Sequence, residues 1–147
     1  MISISMTGLP PSANHAYFNL PRGGRVLSKE GKGYKTSVSS FVTQHHQKDI
    51  RDVKKNWPYG LAIKLTFKDL YNETWPGKAA NRYKKVDVSN RIKLLEDALV
   101  DSLGIDDSQM IAVLVMKEVG QVEMTHVVVW DYETEKMDNA IRQLRSL

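Results

Sequence analysis

Cysteine is absent from the 147 residues. That excludes a disulfide framework, a thiol nucleophile and any thiolate metal site at once, and it fits a reducing, intracellular setting. Long apolar runs are missing too: none approaches the ~18 residues of a membrane span, so no membrane partner is expected. Met1-Ile2-Ser3-Ile4-Ser5-Met6 has neither a positive start nor an apolar core, so no signal peptide is expected either. No strand–loop–helix carrying Gly-Lys-Ser/Thr is present to cradle nucleotide phosphates, and no nucleophile motif supports a serine triad. His15, His45, His46 and His126 lack metal-ligand spacing, which leaves them as structural or surface residues. What remains is 41 % hydrophobic and 26 % charged, the composition of an ordinary folded globule. With neither repeat nor low-complexity tract, residues 1–147 are expected to form a single domain.

The net charge of +4 conceals a division. Residues 1–93 hold 17 Lys/Arg against 6 Asp/Glu, whereas residues 94–147 hold 4 against 11. The first part suits a phosphate polyanion; the second must stay clear of it or meet it through cations.

Ile2, Ile4 and Met6 alternate with small polar residues, the period of a half-buried strand, which Pro10-Pro11 ends. Residues 19–33, with Gly23, Gly24, Gly31 and Gly33 among Arg22, Arg25, Lys29 and Lys32, predict a mobile basic loop containing a short strand at 25–27. A helix is predicted over about 34–55 and a strand over 61–67. Residues 71–85 form a second basic loop, in which Lys78, Arg82, Lys84 and Lys85 are interleaved with Trp75 and Tyr83. Cations with aromatics between them suit a nucleic-acid strand, though a solvated surface loop has the same composition. Val88, Ile92, Leu95, Leu99 and Leu103 make one apolar stripe on a helix closed by Gly104. Strands at about 110–119 and 123–130 follow, joined at Gly120-Gln121 as an expected hairpin, then a helix at 134–145. The order β-α-β-α-β-β-α predicts a two-layer α+β domain, helices packed on a small mixed sheet.

The strongest chemical feature is Asp87-Val88-Ser89-Asn90-Arg91-Ile92-Lys93, then Asp97-Ala98-Leu99, then Asp106-Asp107-Ser108-Gln109. Asn90, Lys93, Asp97 and Asp101 share the helix face opposite the apolar stripe. Asp87 stands at the helix start, and a strand returning along the helix could bring Asp107 beside it. Such a pair would offer hard oxygens and no sulfur, a set that favours Mg²⁺ or Mn²⁺ over zinc. In a basic protein that combination suits phosphodiester cleavage. Plainer readings stand beside it: Asp87 as a helix cap, Lys93 with Asp97 and Asp101 as a solvated ion-pair face, Asp106-Asp107 as turn residues.

The segment resembles the RusA-type Holliday junction resolvases, whose hallmark is Asp-x-Asp-Asn-x-x-Lys, then Asp-Ala-Leu, then Asp-Asp-x-Gln. Pro10-Pro11-Ser12-Ala13-Asn14 is similar to the family's early Pro-Pro-Ser-x-Asn, and the run from Arg25 to Tyr34 to its Arg-x-x-Leu-Ser-x-x-Gly-x-x-Tyr. The resemblance covers about residues 9–117 in the same order. It implies a RusA-like fold and a Mg²⁺-dependent homodimer, with Mn²⁺ a possible substitute, that resolves four-way DNA junctions in recombination and repair. The setting implied is a bacterial or phage cytoplasm, often with a prophage gene. By the same resemblance Asp87 and Asp107 would be metal-binding catalytic carboxylates, Asp106 a supporting one and Lys93 the catalytic lysine. Ser89, Asn90 and Asp97 would line the site, and Arg25, Lys29, Lys32, Lys78, Arg82, Lys84 and Lys85 would contact DNA. One departure matters: Ser89 stands where the family has its second aspartate, which removes a formal charge. Two readings follow, an active junction endonuclease and a branched-DNA-binding protein with a decayed metal site. A regulatory DNA-binding protein is the weaker third, since no helix-turn-helix pattern is evident.

Overall fold

Apolar alternation builds the centre of the molecule. In the computed structural model, which describes residues 1–147, strand β4 (Tyr59–Phe67) is buried along its whole length. It lies between β6 (Met124–Asp131), antiparallel to it, and β5 (Met110–Val119), parallel to it; β1 (Ile2–Thr7) pairs antiparallel with the far edge of β6. The sheet is therefore mixed, in the order β1-β6-β4-β5. Ile2, Ile4, Leu61, Ile63, Leu65, Val127 and Val129 present one apolar face. Onto it pack α2 (Lys29–His45), through Val38 and Val42, and α4 (Ser89–Leu103), through Leu95, Ala98, Leu99 and Leu103. A fully buried Leu is worth roughly 1.5–3 kcal/mol over an exposed one, so this stripe supplies most of what holds α4 in place. On the opposite face the short α5 (Met137–Ser146) sets Ala140 and Leu144 against Ala62, Val128 and Trp130. The chain is thus α+β with helices on a four-stranded mixed sheet, as its pattern predicts.

The connection after β5 differs from expectation. β5 and β6 are not a hairpin, because β4 lies between them. The Gly120-Gln121 segment instead passes over the end of β4: the Gly120 N–H donates to the Phe67 carbonyl at 3.0 Å, and a Cβ there would come within 2.3 Å of the Thr66 side chain. Glycine is required for that close crossing, not for a tight turn. Since β4 and β5 are parallel, they need a long crossover, and α4 is the helix inside it.

The first basic loop is also shorter than predicted. A small ribbon of β2 (Tyr17–Asn19) and β3 (Arg25–Leu27) follows a single turn of helix, α1 (Ala13–Ala16). Then α2 starts at Lys29, because the Ser28 hydroxyl caps it by accepting from the Gly31 N–H at 2.9 Å. Glycine is needed at position 31 of this helix because a Cβ would meet the Ala16 carbonyl at 2.4 Å. Lys29 and Lys32 accordingly project from a helix, not a loop. The predicted helix over 34–55 breaks at His46, after which α3 (Gln47–Asp52) continues.

Candidate functional site

Helix α4 begins and ends where the sequence says it should, and its ends carry the chemistry. Gly104 adopts the left-handed conformation (φ 67°) that closes the helix, and the chain turns into a single 3-10 turn, Asp107–Gln109, before β5. At the other end Asp87 caps the first turn. Its Oδ1 accepts from the Ser89 N–H at 3.0 Å and also from the Ser89 hydroxyl, and its Oδ2 accepts from Asn90 Nδ2 at 2.8 Å. The Ser89 hydroxyl, above all, holds this exposed carboxyl below the usual carboxylate range; the backbone of the turn and the Lys117 ammonium help.

One turn further along the same face, Lys93 gathers acidic groups. Its Nζ lies 2.8 Å from Asp97 and 3.6 Å from Asp107. The hydrogen bond to Asp97 holds Lys93 above the ordinary lysine range, with Glu96 and Asp107 adding to it. Half-buried Glu96 is pushed up by burial, with the Asp97 and Asp107 charges adding and Lys93 opposing. The Tyr17 hydroxyl donates to Asp97 Oδ2 at 3.5 Å, and burial raises that phenol. Asp106 is turned inward on its own turn: it accepts from the Ser108 N–H at 2.9 Å, while Gln109 Oε1 accepts from the Asp106 N–H at 2.8 Å. That reciprocal pair is a capping box. Gln109 then donates to the Trp57 carbonyl at 2.9 Å, which fixes the turn to the start of β4.

All three motif segments therefore meet at Lys93. Lys93, Asp97 and Asp107 form one group; Asp87, Ser89 and Asn90 form another a turn away. Asp107 lies against Lys93, while Asp87 is engaged by Ser89 and Asn90. The 3-10 turn that carries Asp107 follows closely on the C-terminus of α4, and the far end of β5 comes back to the segment before Asp87. There Lys117 donates to the Val86 carbonyl at 3.2 Å. No three acidic or histidine side chains come together as a closed metal cage. The donors themselves are hard oxygens on exposed side chains, chemistry that fits Mg²⁺ or Mn²⁺.

Arg25, Lys29, Lys32, Lys78, Arg82 and Lys85 are exposed, whereas Lys84 is partly buried and paired with Asp69. Arg25 lies 5.5 Å from the centre of the Tyr17 ring, so the first ribbon reaches the Asp97 cluster through that tyrosine. The Pro10-Pro11 segment is attached as well, since Arg91 donates to the Pro10 carbonyl at 2.6 Å. Sequence reasoning missed Tyr17, Glu96 and Lys117. Tyr17 and Lys117 are brought in by distant strands, and Glu96 differs from its acidic neighbours only by burial.

Carboxylates from three segments of the chain thus gather with one lysine beside α4. The chain belongs to the RusA family: the family model for endodeoxyribonuclease RusA matches residues 8–130. This is a family of endonucleases acting on Holliday junctions. No individual curated protein matches the chain. The match spans every motif discussed above and three of the four strands of the main sheet, ending one residue short of the end of β6.

Proposed function

We propose that this protein is a divalent-metal-dependent, structure-selective endonuclease that resolves four-way DNA junctions by paired phosphodiester hydrolysis, acting as a two-fold dimer. The observation that carries the reading is the meeting of Lys93 with Asp97 and Asp107, which joins all three motif segments. Hydrolysis adds water across one P–O bond and leaves a phosphate and a hydroxyl. Lys93, kept protonated by its acidic neighbours, neutralises the charge that gathers on the phosphate oxygens. Asp97 and Tyr17 keep that ammonium oriented. Asp87 and Asp107 are the carboxylates that would hold the cation, with Asp106 fixing the turn that carries Asp107. A bound divalent ion supplies an activated water and offsets phosphate–carboxylate repulsion. The basic residues at 25–32 and 78–85 hold backbone and recognise shape before sequence. A junction has two-fold symmetry and needs two matched cuts, which an isologous dimer provides.

Ser89 favours a second reading. Its hydroxyl is spent on Asp87 and contributes no negative charge, so the site has one carboxylate fewer than the family pattern. On that reading the protein binds branched DNA without cutting it. Incubating a labelled synthetic four-way junction with the protein, with and without Mg²⁺ or Mn²⁺, decides between them. Metal-dependent, symmetric nicks support the endonuclease. Binding with no nicks in either metal at high protein supports the decayed site. Asp107→Asn should abolish cleavage and leave binding within about twofold; normal cutting by that variant would remove Asp107 from the metal site.

A further inference from the structure

The segment between β4 and α4 holds three exposed aromatics that the reaction does not use. Tyr71, Trp75 and Tyr83 are 40 %, 44 % and 44 % exposed, and they cluster around one guanidinium: Arg82 lies 5.5–5.7 Å from all three ring centres. The segment is built to hold them there. Tyr71 and Tyr83 pair as a β-bridge, the Asn72 N–H donates to the Arg82 carbonyl at 2.9 Å, and the Lys84 N–H donates to the Leu70 carbonyl at 2.8 Å. On that stem the two tyrosine rings stack with centres 5.2 Å apart. Large aromatics gain most by being buried, so three left in water on an ordered stem need a partner with a flat apolar face. The surrounding charge says which. Lys84 alone among the segment's cations is paired with an acid, Asp69, which leaves Lys78, Arg82 and Lys85 for an anionic ligand. A flat face joined to phosphate is a nucleotide.

We propose that Tyr71, Trp75 and Tyr83 form a stacking platform for an unpaired base of the DNA strand whose phosphate reaches Asp87. This deepens the junction-endonuclease reading and rests on it. A groove lined by Leu70, Tyr71, Tyr83, Lys117, Glu118 and Val119 leads from the two tyrosines to Lys117; its one acid, Glu118, is paired with Lys64 at 3.2 Å, and the charge of Lys117 acts on Asp87. Tyr83 and Asp87 are four residues apart, at most about 14 Å of extended chain. Bases inside a duplex are stacked on each other and present no free face. The platform therefore distinguishes a branch point, where pairing is interrupted, from an unbroken arm.

The test is photocrosslinking without metal, in EDTA, to junctions carrying 5-iodouracil either at the branch point or ten pairs into an arm. It is paired with affinity for a dT oligonucleotide. The branch-point probe should crosslink to Tyr71, Trp75 or Tyr83 and the arm probe should not. Trp75→Leu and Tyr83→Leu should each weaken oligonucleotide binding about tenfold, while Tyr83→Phe stays within twofold. Circular dichroism melts identify any variant that fails to fold, in which case the crosslink map of the unaltered protein decides. No affinity of the unaltered protein for the oligonucleotide, crosslinks confined to other segments, or unchanged binding by both leucine variants would overturn the platform. The two proposals fail separately. A protein that crosslinks as expected but cuts no junction loses the nuclease reading and keeps the platform; one that cuts junctions without these crosslinks does the reverse.

Discussion

Asp87 has two tasks that compete for the same oxygens. As a cap it accepts from Ser89 and Asn90, and as a ligand it must present a lone pair and a charge. Asparagine caps as well as aspartate but carries no charge. Asp87→Asn should therefore keep the melting temperature and lose cleavage, whereas Asp87→Ala should lower both; a melt and a nicking assay separate the tasks. Ser89→Asp restores the family's charge but removes the hydroxyl donor that lowers the Asp87 carboxyl. If Ser89 is a missing ligand, the variant should cut faster or at lower Mg²⁺, and unchanged activity across a Mg²⁺ titration would count against that. His126, opposite Lys64 on the sheet, shares a 2.9 Å hydrogen bond with Ser5. Burial, then the Lys64 charge, lowers its protonation range, with Glu118 opposing. Because the folded protein binds that proton less readily than the unfolded chain, stability should be full above about pH 6.5 and fall as the pH drops through the lowered value. Melts from pH 8 to pH 5 should show this loss, and His126→Gln should flatten it. Legibility at this scale was partial. The residue types at 87, 93, 97 and 107 were visible in the motif, but the partners Tyr17 and Lys117 come from strands that no local spacing connects to it.

At the scale of elements, α4 is the part most firmly specified. Its stripe from Val88 to Leu103 and its Gly104 stop are local signals, and tertiary packing agrees with both. Leu99→Ala, fully buried between sheet and helix, should cost about 2–5 kcal/mol in denaturant unfolding and weaken cleavage indirectly by loosening the helix. The sheet has a comparable point at Gly60, where a Cβ would sit 2.0 Å from the Trp130 ring. Gly60→Ala should destabilise by about 1–3 kcal/mol through overpacking, measurable in the same titration. Elements joined by ambiguous connections were less legible. Gly-Gln after β5 has the composition of a hairpin turn, and only the insertion of β4 between β5 and β6 made it a crossing. The start of α2 was obscured by Gly31 and Gly33, whose usual role as helix breakers was overridden by the Ser28 cap, and glycine at 31 leaves room for the Ala16 carbonyl.

For the whole molecule, charge and topology act together. The basic segments come from the first two thirds of the chain, and the acidic groups beside α4 are already tied to Lys93. Junction binding should therefore be strongly salt-dependent. If six or more phosphates are contacted, affinity should fall about 10³-fold or more between 50 and 200 mM salt in a gel-shift titration, and a flat response would argue against backbone recognition. The sequence by itself determined the α+β class, the strand and helix periods, the exposed face of α4 and the chemistry of its side chains. Each of these follows from a repeat of burial or charge along a few turns of chain. Only the tertiary structure decided that β5 lies parallel to β4, that Asp107 meets Lys93, and that Tyr71, Trp75 and Tyr83 share one guanidinium. Those outcomes depend on which distant segments pack together, and a local pattern fixes what a segment buries without fixing what it is buried against.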